Sequence, residues 1–201
     1  MAPVVLEPYY LPPVGWWALA LSAEHVYLPT GIRYRKQTLF NRCWVKGPNR
    51  VQALTATVVK GRRQPPLPEV HLSYADDWVR LHTGTLVTAY RATPFYANVI
   101  PDILAHLATR PDTLLGLCLP LVQLLAGHLG LQARLEVVAT PPVGCSPEIL
   151  DDRTPHPALQ PAPYYQPFGP FAADLSVVDL LCNTGPQATA VLRAMAGQNS
   201  V

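Results

Sequence analysis

Apolar and polar positions follow one another along the chain in short runs that predict a mixed α/β fold. An apolar run at residues 3–7 precedes the turn sequence PYYLPPVG, a compact apolar helix WWALALSA and a second strand, HVYLP. A parallel βαβ unit requires this order, which puts the loop after the first strand at the carboxyl edge of the sheet. We therefore predict a small mixed or mostly parallel sheet opened by a β-loop-α-β unit, followed by a helical C-terminal half.

The same patterns predict the remaining elements. Further strands are predicted at residues 51–59, 70–74 and 133–139. Apolar spacing and capping residues predict helices at residues 76–90, 101–108, 113–128, 175–183 and 187–195. Nine of the 30 residues from 141 to 170 are proline, which predicts a long surface loop whose tip could act as a lid.

Composition narrows the class of protein. The 201 residues are 49% hydrophobic and 14% charged, which favours one compact domain over residues 1–201 and excludes a disordered chain, a collagen and a coiled coil. The apolar stretch 114–131 is long enough to span a membrane. It contains Pro120, Gln123 and His128, so a buried helix is predicted instead.

Cysteine and histidine positions exclude some kinds of site. The four cysteines are far apart and the six histidines lack zinc-ligand spacing, so neither a metal nor a cofactor is predicted. Among the cysteines, Cys43 is the one beside a cationic cluster, where a lowered thiol pKa is plausible. The first residues lack the basic and apolar regions of a signal peptide, which predicts a cytoplasmic protein with free thiols.

The net charge of +2 conceals a basic segment on an acidic body. No Asp or Glu lies between Glu24 and Glu69, and nine of the 15 basic residues fall in that gap. Such a segment attracts phosphate, nucleic acid or an anionic headgroup, and its alternative is a solvated basic face. Nucleic acid is the weaker choice because aromatic residues do not alternate with the basic ones.

The densest polar cluster lies inside this basic segment, directly after the second predicted strand. It consists of Tyr34, Arg35, Lys36, Gln37, Asn41 and Arg42. Arginine and lysine bind phosphate, while asparagine and glutamine orient an amide or a sugar hydroxyl. The cluster therefore predicts a site for a phosphate-containing small molecule, with an ordinary solvated loop as the alternative.

His82 is the candidate catalytic residue. Trp78, His82 and Tyr90 recur at helical spacing and would share one face of a helix. A largely neutral histidine can act as a general base, and the alternative is a core histidine bonded to the backbone.

Four stretches in the same order resemble a known bacterial family. They are PYYLPPVGWW, YRKQTLFNRCWVKGPNRVQALTATVVKG, WVRLHTGTLVTAYRATPFY, and YYQPF with LSVVDLLCNTGP. Over nearly the whole chain they resemble the WbqC-like protein family, with a KQT-x-x-NRC variant most similar to its Bacteroidetes branch. Two departures are Glu7, where relatives often have Gln or His, and Thr184, where they often have an acid.

The resemblance implies a role in O-antigen or other surface-polysaccharide biosynthesis, with transfer of glycine or another acyl group to an amino sugar. It adds six substrate-binding candidates to the polar cluster, namely Tyr10, Trp78, Tyr90, Arg153, Gln166 and Asn183. We expect a transferase acting on a nucleotide-linked or phosphate-linked amino sugar. The alternative is a non-catalytic protein that binds an anionic glycan precursor or a partner, and nucleotidyl transfer rests only on analogy of fold.

Overall fold

The computed structural model describes residues 2–150 and 156–198. Its strands are β1 (Val4–Leu6), β2 (His25–Pro29), β3 (Arg42–Lys46), β4 (Val51–Thr55), β5 (Arg134–Val138) and β6 (Pro147–Glu148). Its α-helices are α1 (Val14–Leu21), α2 (Trp78–Tyr90), α3 (Tyr96–Ala108), α4 (Leu114–Leu129), α5 (Val177–Thr184) and α6 (Ala188–Met195). Short 3-10 turns at Leu67–Glu69 and Gly185–Gln187 complete the regular structure.

Four parallel strands form the main sheet in the order β5-β2-β1-β6. The opening β-loop-α-β prediction is confirmed, because α1 connects β1 to its parallel neighbour β2. The chain moves to one side of β1 through β2 and β5, and returns on the other side as β6. The carboxyl ends of β1 and β6 therefore flank a topological switch point, where open α/β sheets usually bind ligands.

The basic segment differs from the prediction. Arg42 lies on β3, which pairs antiparallel with β4 as a separate two-stranded sheet, and the Gly47 N–H closes the turn on the Arg50 carbonyl at 3.0 Å. The predicted strand at 70–74 makes only isolated bridges, through His71 and Leu72. Residues 70–74 favour a strand, but the segments beside them are too short to form a ladder with them.

Helix α3 begins earlier than predicted and contains Pro101. An interior proline removes a helix hydrogen bond and costs about 3 kcal/mol. Ile100, Ile103 and Leu107 are completely buried, and burial of three large side chains at roughly 2 kcal/mol each offsets that cost. Helix α4 likewise continues through Pro120, and its apolar stretch is a buried core helix as predicted. Over the described ranges, no helix is long and apolar enough to cross a membrane.

The proline-rich segment is mostly irregular, as predicted, but contributes β6 to the sheet edge, where a strand tolerates Pro147. Residues 156–174, here called the strap, run across the amino end of α1. The Gln160 N–H donates to the Met195 carbonyl at 2.9 Å. Directly after the strap, the carbonyl of Leu175 accepts a hydrogen bond of 2.9 Å from the Val14 N–H. This bond joins the start of α1 to the segment that leads into α5.

Candidate functional site

A cavity of about 80 Å³ lies under the strap at the amino end of α1. Its walls come from the loop after β1, the start of α1, Leu150 two positions after β6, the strap and the end of α6. The lining residues include Pro13, Val14, Gly15, Leu39, Leu150, His156, Leu159, Gln160, Ala162, Tyr164, Phe171, Asp174 and Met195. Pro13 and Leu150 follow β1 and β6 along the chain, so the cavity lies near the switch point of the sheet, where side chains from distant parts of the chain meet.

Glu7, at the carboxyl end of β1, forms a part-buried ion pair beside this cavity. Its carboxylate is 2.5 Å from the Arg35 guanidinium and accepts a hydrogen bond of 2.7 Å from the Tyr9 hydroxyl. The hydrogen bond to Glu7 raises the pKa of Arg35, and burial is the main cause of the raised pKa of Tyr9. The Tyr9 hydroxyl is also 3.3 Å from the carbonyl of Leu150, which lines the cavity.

His156 lines the cavity and is oriented by a carboxylate. The Ala158 N–H donates to its Nδ1 at 3.3 Å, so Nδ1 is the unprotonated nitrogen. Nε2–H then donates to Glu148, the last residue of β6, at 3.1 Å. A histidine held by a carboxylate at a cavity wall is equipped to carry a proton.

His82 lies in the core, away from the cavity lining. Its side chain is buried, its Nδ1 is 2.9 Å from the Tyr10 hydroxyl, and its ring also bonds to the Thr55 backbone. Burial lowers its pKa to about 4. With the ring buried and Nδ1 bonded to Tyr10, the structure corresponds to the core alternative, and a direct attack on substrate would require this part of the core to open.

Tyr10 and Trp78 surround His82, with ring centroids 5.7 Å and 5.0 Å from its own. Tyr90 is buried on the same helix but lies beside Asp179 of α5, where its hydroxyl has no hydrogen bond of good geometry. The three residues predicted to share a face are therefore all buried, in two separate polar groups.

Asp179 is the centre of the second buried polar group. Its carboxylate accepts a hydrogen bond of 2.7 Å from Tyr164 of the strap, and burial raises its pKa. Asn183 donates to the Asp179 carbonyl at 2.8 Å. Close by, Lys46 donates to Gln166 at 2.9 Å and to the Pro170 carbonyl at 2.5 Å. These bonds fasten the strap to β3 and α5.

The residues predicted to bind phosphate are spread over the basic segment. Lys36 and Gln37 are exposed in a turn, where Gln37 has φ of 59°. Tyr34 is buried, and Asn41 is buried with its amide donating to the Ala56 carbonyl at 2.7 Å. Arg42 is half-buried on β3 and donates to Thr55 at 3.3 Å. Arg153 lies outside the described residues.

Burial also overturns the expectation for Cys43. Its thiol is buried, and burial raises its pKa, as it does for Cys118 and Cys182. Thiolate is the reactive form, so these three cysteines serve packing. Within residues 2–150 and 156–198, no three His, Cys, Asp or Glu side chains form a group that could hold a metal.

Comparison with known proteins assigns the family. A model described as the WbqC-like protein family matches residues 7–146. The chain belongs to the WbqC-like family. No curated protein and no solved structure matches the chain.

The matched range of the WbqC-like family covers only part of the site. It includes Glu7, Arg35 and the start of α1, whereas Leu150, His156 and the rest of the strap follow it. The stretches YYQPF and LSVVDLLCNTGP, which carried part of the resemblance, also lie beyond the match.

The sequence reasoning missed three parts of this candidate site: the Glu7–Arg35 pair, the His156–Glu148 pair and Lys46. One signal was available, because Glu7 ends a predicted strand and is an acid at a position where relatives differ. The partners of the other residues lie too far along the chain, or in too irregular a segment, for spacing to reveal them.

Proposed function

We propose that this protein is a transferase of bacterial surface-polysaccharide biosynthesis that moves an acyl or aminoacyl group, such as glycyl, onto an amino sugar carried on phosphate or a nucleotide. One observation carries the proposal: a cavity at the switch point of a parallel sheet has a carboxylate-oriented histidine in its wall. Membership of the WbqC-like family supports the polysaccharide context.

The chemistry is nucleophilic substitution at a carbonyl. The sugar amine attacks the carbonyl carbon of an acyl thioester, the N–C bond forms, and the C–S bond breaks to release a thiolate. His156 Nδ1 accepts the proton lost from nitrogen and passes it to the thiolate. The long Ala158 contact at Nδ1 gives way to the amine, while Glu148 stabilises the imidazolium.

The phosphate of the substrate is assigned to the outer side of the site. Arg35 is part-exposed and Lys36 exposed on the segment leading to Leu39, which lines the cavity. Arg42 adds a cation on β3, and Gln37 lies in the same exposed turn as Lys36. Cations on this segment would hold the phosphate by charge while the acyl group occupies the cavity.

The test is acyl transfer followed by mass spectrometry, with an acyl thioester and a UDP-linked amino sugar. We expect His156→Gln to lower kcat at least 100-fold, because general base catalysis contributes about 10²–10⁴-fold. Glu148→Gln should lower it less, since the histidine remains. His71→Gln, at an exposed histidine outside the cavity lining, is the matched control. Full turnover in His156→Gln contradicts the assignment.

A non-catalytic binding protein is the second candidate. It is favoured by the burial of His82, Cys43, Cys118 and Cys182, which removes these reactive side chains from solvent. In that case the same cavity and cations would recognise a glycan precursor without turnover. Binding of a nucleotide sugar together with no transfer from any thioester would support this candidate.

A further inference from the structure

The cavity under the strap differs in character from the basic segment. Most of its wall is carbon, contributed by Val14, Leu39, Leu150, Leu159 and Met195. The polar atoms of two other lining residues are already bonded, Tyr164 to Asp179 and His156 to Glu148. Among the described lining residues, Asp174 is the only one with an Asp, Glu, Lys or Arg side chain. Such a wall favours an uncharged apolar group over a phosphate.

The size of the cavity limits what can enter. An apolar cavity of about 150 Å³ accommodates benzene, so 80 Å³ accommodates roughly two to four carbons. Gly15 forms part of its floor. A Cβ added there would lie 3.0 Å from Leu159 Cδ1, 3.2 Å from Leu150 Cδ2 and 3.9 Å from Asp174 Oδ1, all atoms of lining residues. A methyl group at Gly15 would therefore press against Leu159 and Leu150, which would have to shift by a few tenths of an ångström and change the shape of the cavity.

From these observations we infer that the cavity is a binding pocket for a short acyl chain of roughly two to four carbons, whose length is limited by Gly15 and Leu159. The inference rests on the proposed acyl transfer and adds the donor class to it. The carbonyl carbon would lie at the wall that carries His156, with the apolar tail directed toward Gly15 and Leu159. A longer chain would have to displace the strap.

The experiment titrates the full-length protein with acetamide, butyramide and hexanamide, monitoring backbone amide signals of Gly15 and Leu159 by ¹⁵N NMR. These probes carry the acyl group without a nucleotide or phosphate. In the wild type we expect butyramide to shift both signals with a millimolar Kd, and hexanamide to bind at least tenfold more weakly.

Two variants change the pocket in opposite directions. Gly15→Ala should weaken butyramide at least tenfold while acetamide changes less. Its Tm checks folding, because alanine favours a helix over glycine while the close contacts require Leu159 and Leu150 to shift. Leu159→Ala should admit hexanamide with an affinity near that of butyramide. Gly84→Ala is the matched control, since a Cβ there meets nothing within 4 Å on the exposed side of α2.

The outcomes separate this inference from the proposed function. Equal affinity for butyramide and hexanamide in the wild type, or an unchanged butyramide affinity in Gly15→Ala, overturns the acyl pocket. Acyl transfer whose chain-length preference does not respond to Gly15→Ala also overturns it, and leaves the transferase intact. Chain-length-dependent binding in the cavity without any transfer supports the pocket and counts against the transferase.

Discussion

At the scale of single residues, the bonding partners of a buried polar group distinguish His82 from Glu7. His82 and Glu7 are both buried, at 1% and 2% exposure, yet their surroundings differ. His82 is neutral and bonded to Tyr10 and the Thr55 backbone, whereas Glu7 is paired with a part-exposed arginine. A neutral bonded histidine stabilises a core, while the Glu7 carboxylate holds the part-exposed guanidinium of Arg35 beside the sheet.

The lowered pKa of His82 makes stability depend on pH. The unfolded side chain titrates near 6.5 and the folded one near 4, so the unfolded state binds the proton first as pH falls. The stability that comes from keeping His82 neutral in the folded state is complete above pH 6.5 and is lost between about pH 6.5 and 4. A difference of that size corresponds to about 3 kcal/mol in the free energy of unfolding.

The measurement is urea denaturation at pH 7, 5.5 and 4 for the wild type and for His82→Gln, which does not titrate in this range. We expect the loss of unfolding free energy toward pH 4 to be smaller in His82→Gln by about 3 kcal/mol. His71→Gln controls for the replacement of a histidine as such. If His82→Gln keeps its stability at pH 7 but loses acyl transfer, the result supports the catalytic role predicted from spacing.

At the scale of elements, the strap depends on a few polar bonds because its prolines prevent regular structure. Lys46 of β3 is buried and donates to Gln166 and Pro170, and Gln166 in turn accepts a hydrogen bond of 2.9 Å from the Ala172 N–H. One lysine thus organises the segment that covers the cavity.

We predict that Lys46→Met releases the strap. The change keeps an unbranched apolar stem but leaves the Pro170 carbonyl without its ammonium donor, at a cost of about 1–3 kcal/mol. Hydrogen exchange at Ala172 should accelerate about 10- to 100-fold while exchange in α4 stays slow. Lys60→Met, at an exposed lysine of the same basic segment, is the matched control. Unaltered exchange at Ala172 would show that proline stiffness alone holds the strap.

At the scale of the whole molecule, the acidic body and the basic segment meet at the site. Glu7 directly follows β1 and Arg35 belongs to the basic segment, 28 positions apart in sequence. The proposed phosphate position lies on the basic side, and the apolar cavity lies under the strap. In this arrangement the cations would bind the phosphate-linked sugar, and the apolar cavity would bind the acyl group by its shape.

Charge reversal at Lys36 and Arg42 tests the basic side. A saturating anion at 100 times its Kd stabilises the native state by about 2.7 kcal/mol, which raises Tm by several degrees. We expect pyrophosphate to raise the Tm of the wild type and to leave the Tm of the double variant Lys36→Glu, Arg42→Glu unchanged. Lys60→Glu with Arg62→Glu is the control for net charge. An equal Tm increase in both double variants would place anion binding elsewhere.

Local periodicity was sufficient to predict much of the fold. The β-loop-α-β opening and helices α2 and α4 follow from the spacing of apolar residues and from capping by Asp77 and Thr113, which depend on neighbours within a turn or two. Helix α3 was predicted too short because Pro101 is unfavourable locally and is tolerated only through the packing of Ile100 and Ile103.

The sequence by itself therefore determined the family, the opening unit, most helices and the charge asymmetry, since each depends on residue order alone. Tertiary structure decided the site. The hydrogen bond from Lys46 to Gln166 spans 120 positions, and the cavity joins residues from the start of α1 to the end of α6. Such contacts depend on how the sheet and strap pack together, and that packing moved His82 into the core and brought His156 to the cavity wall.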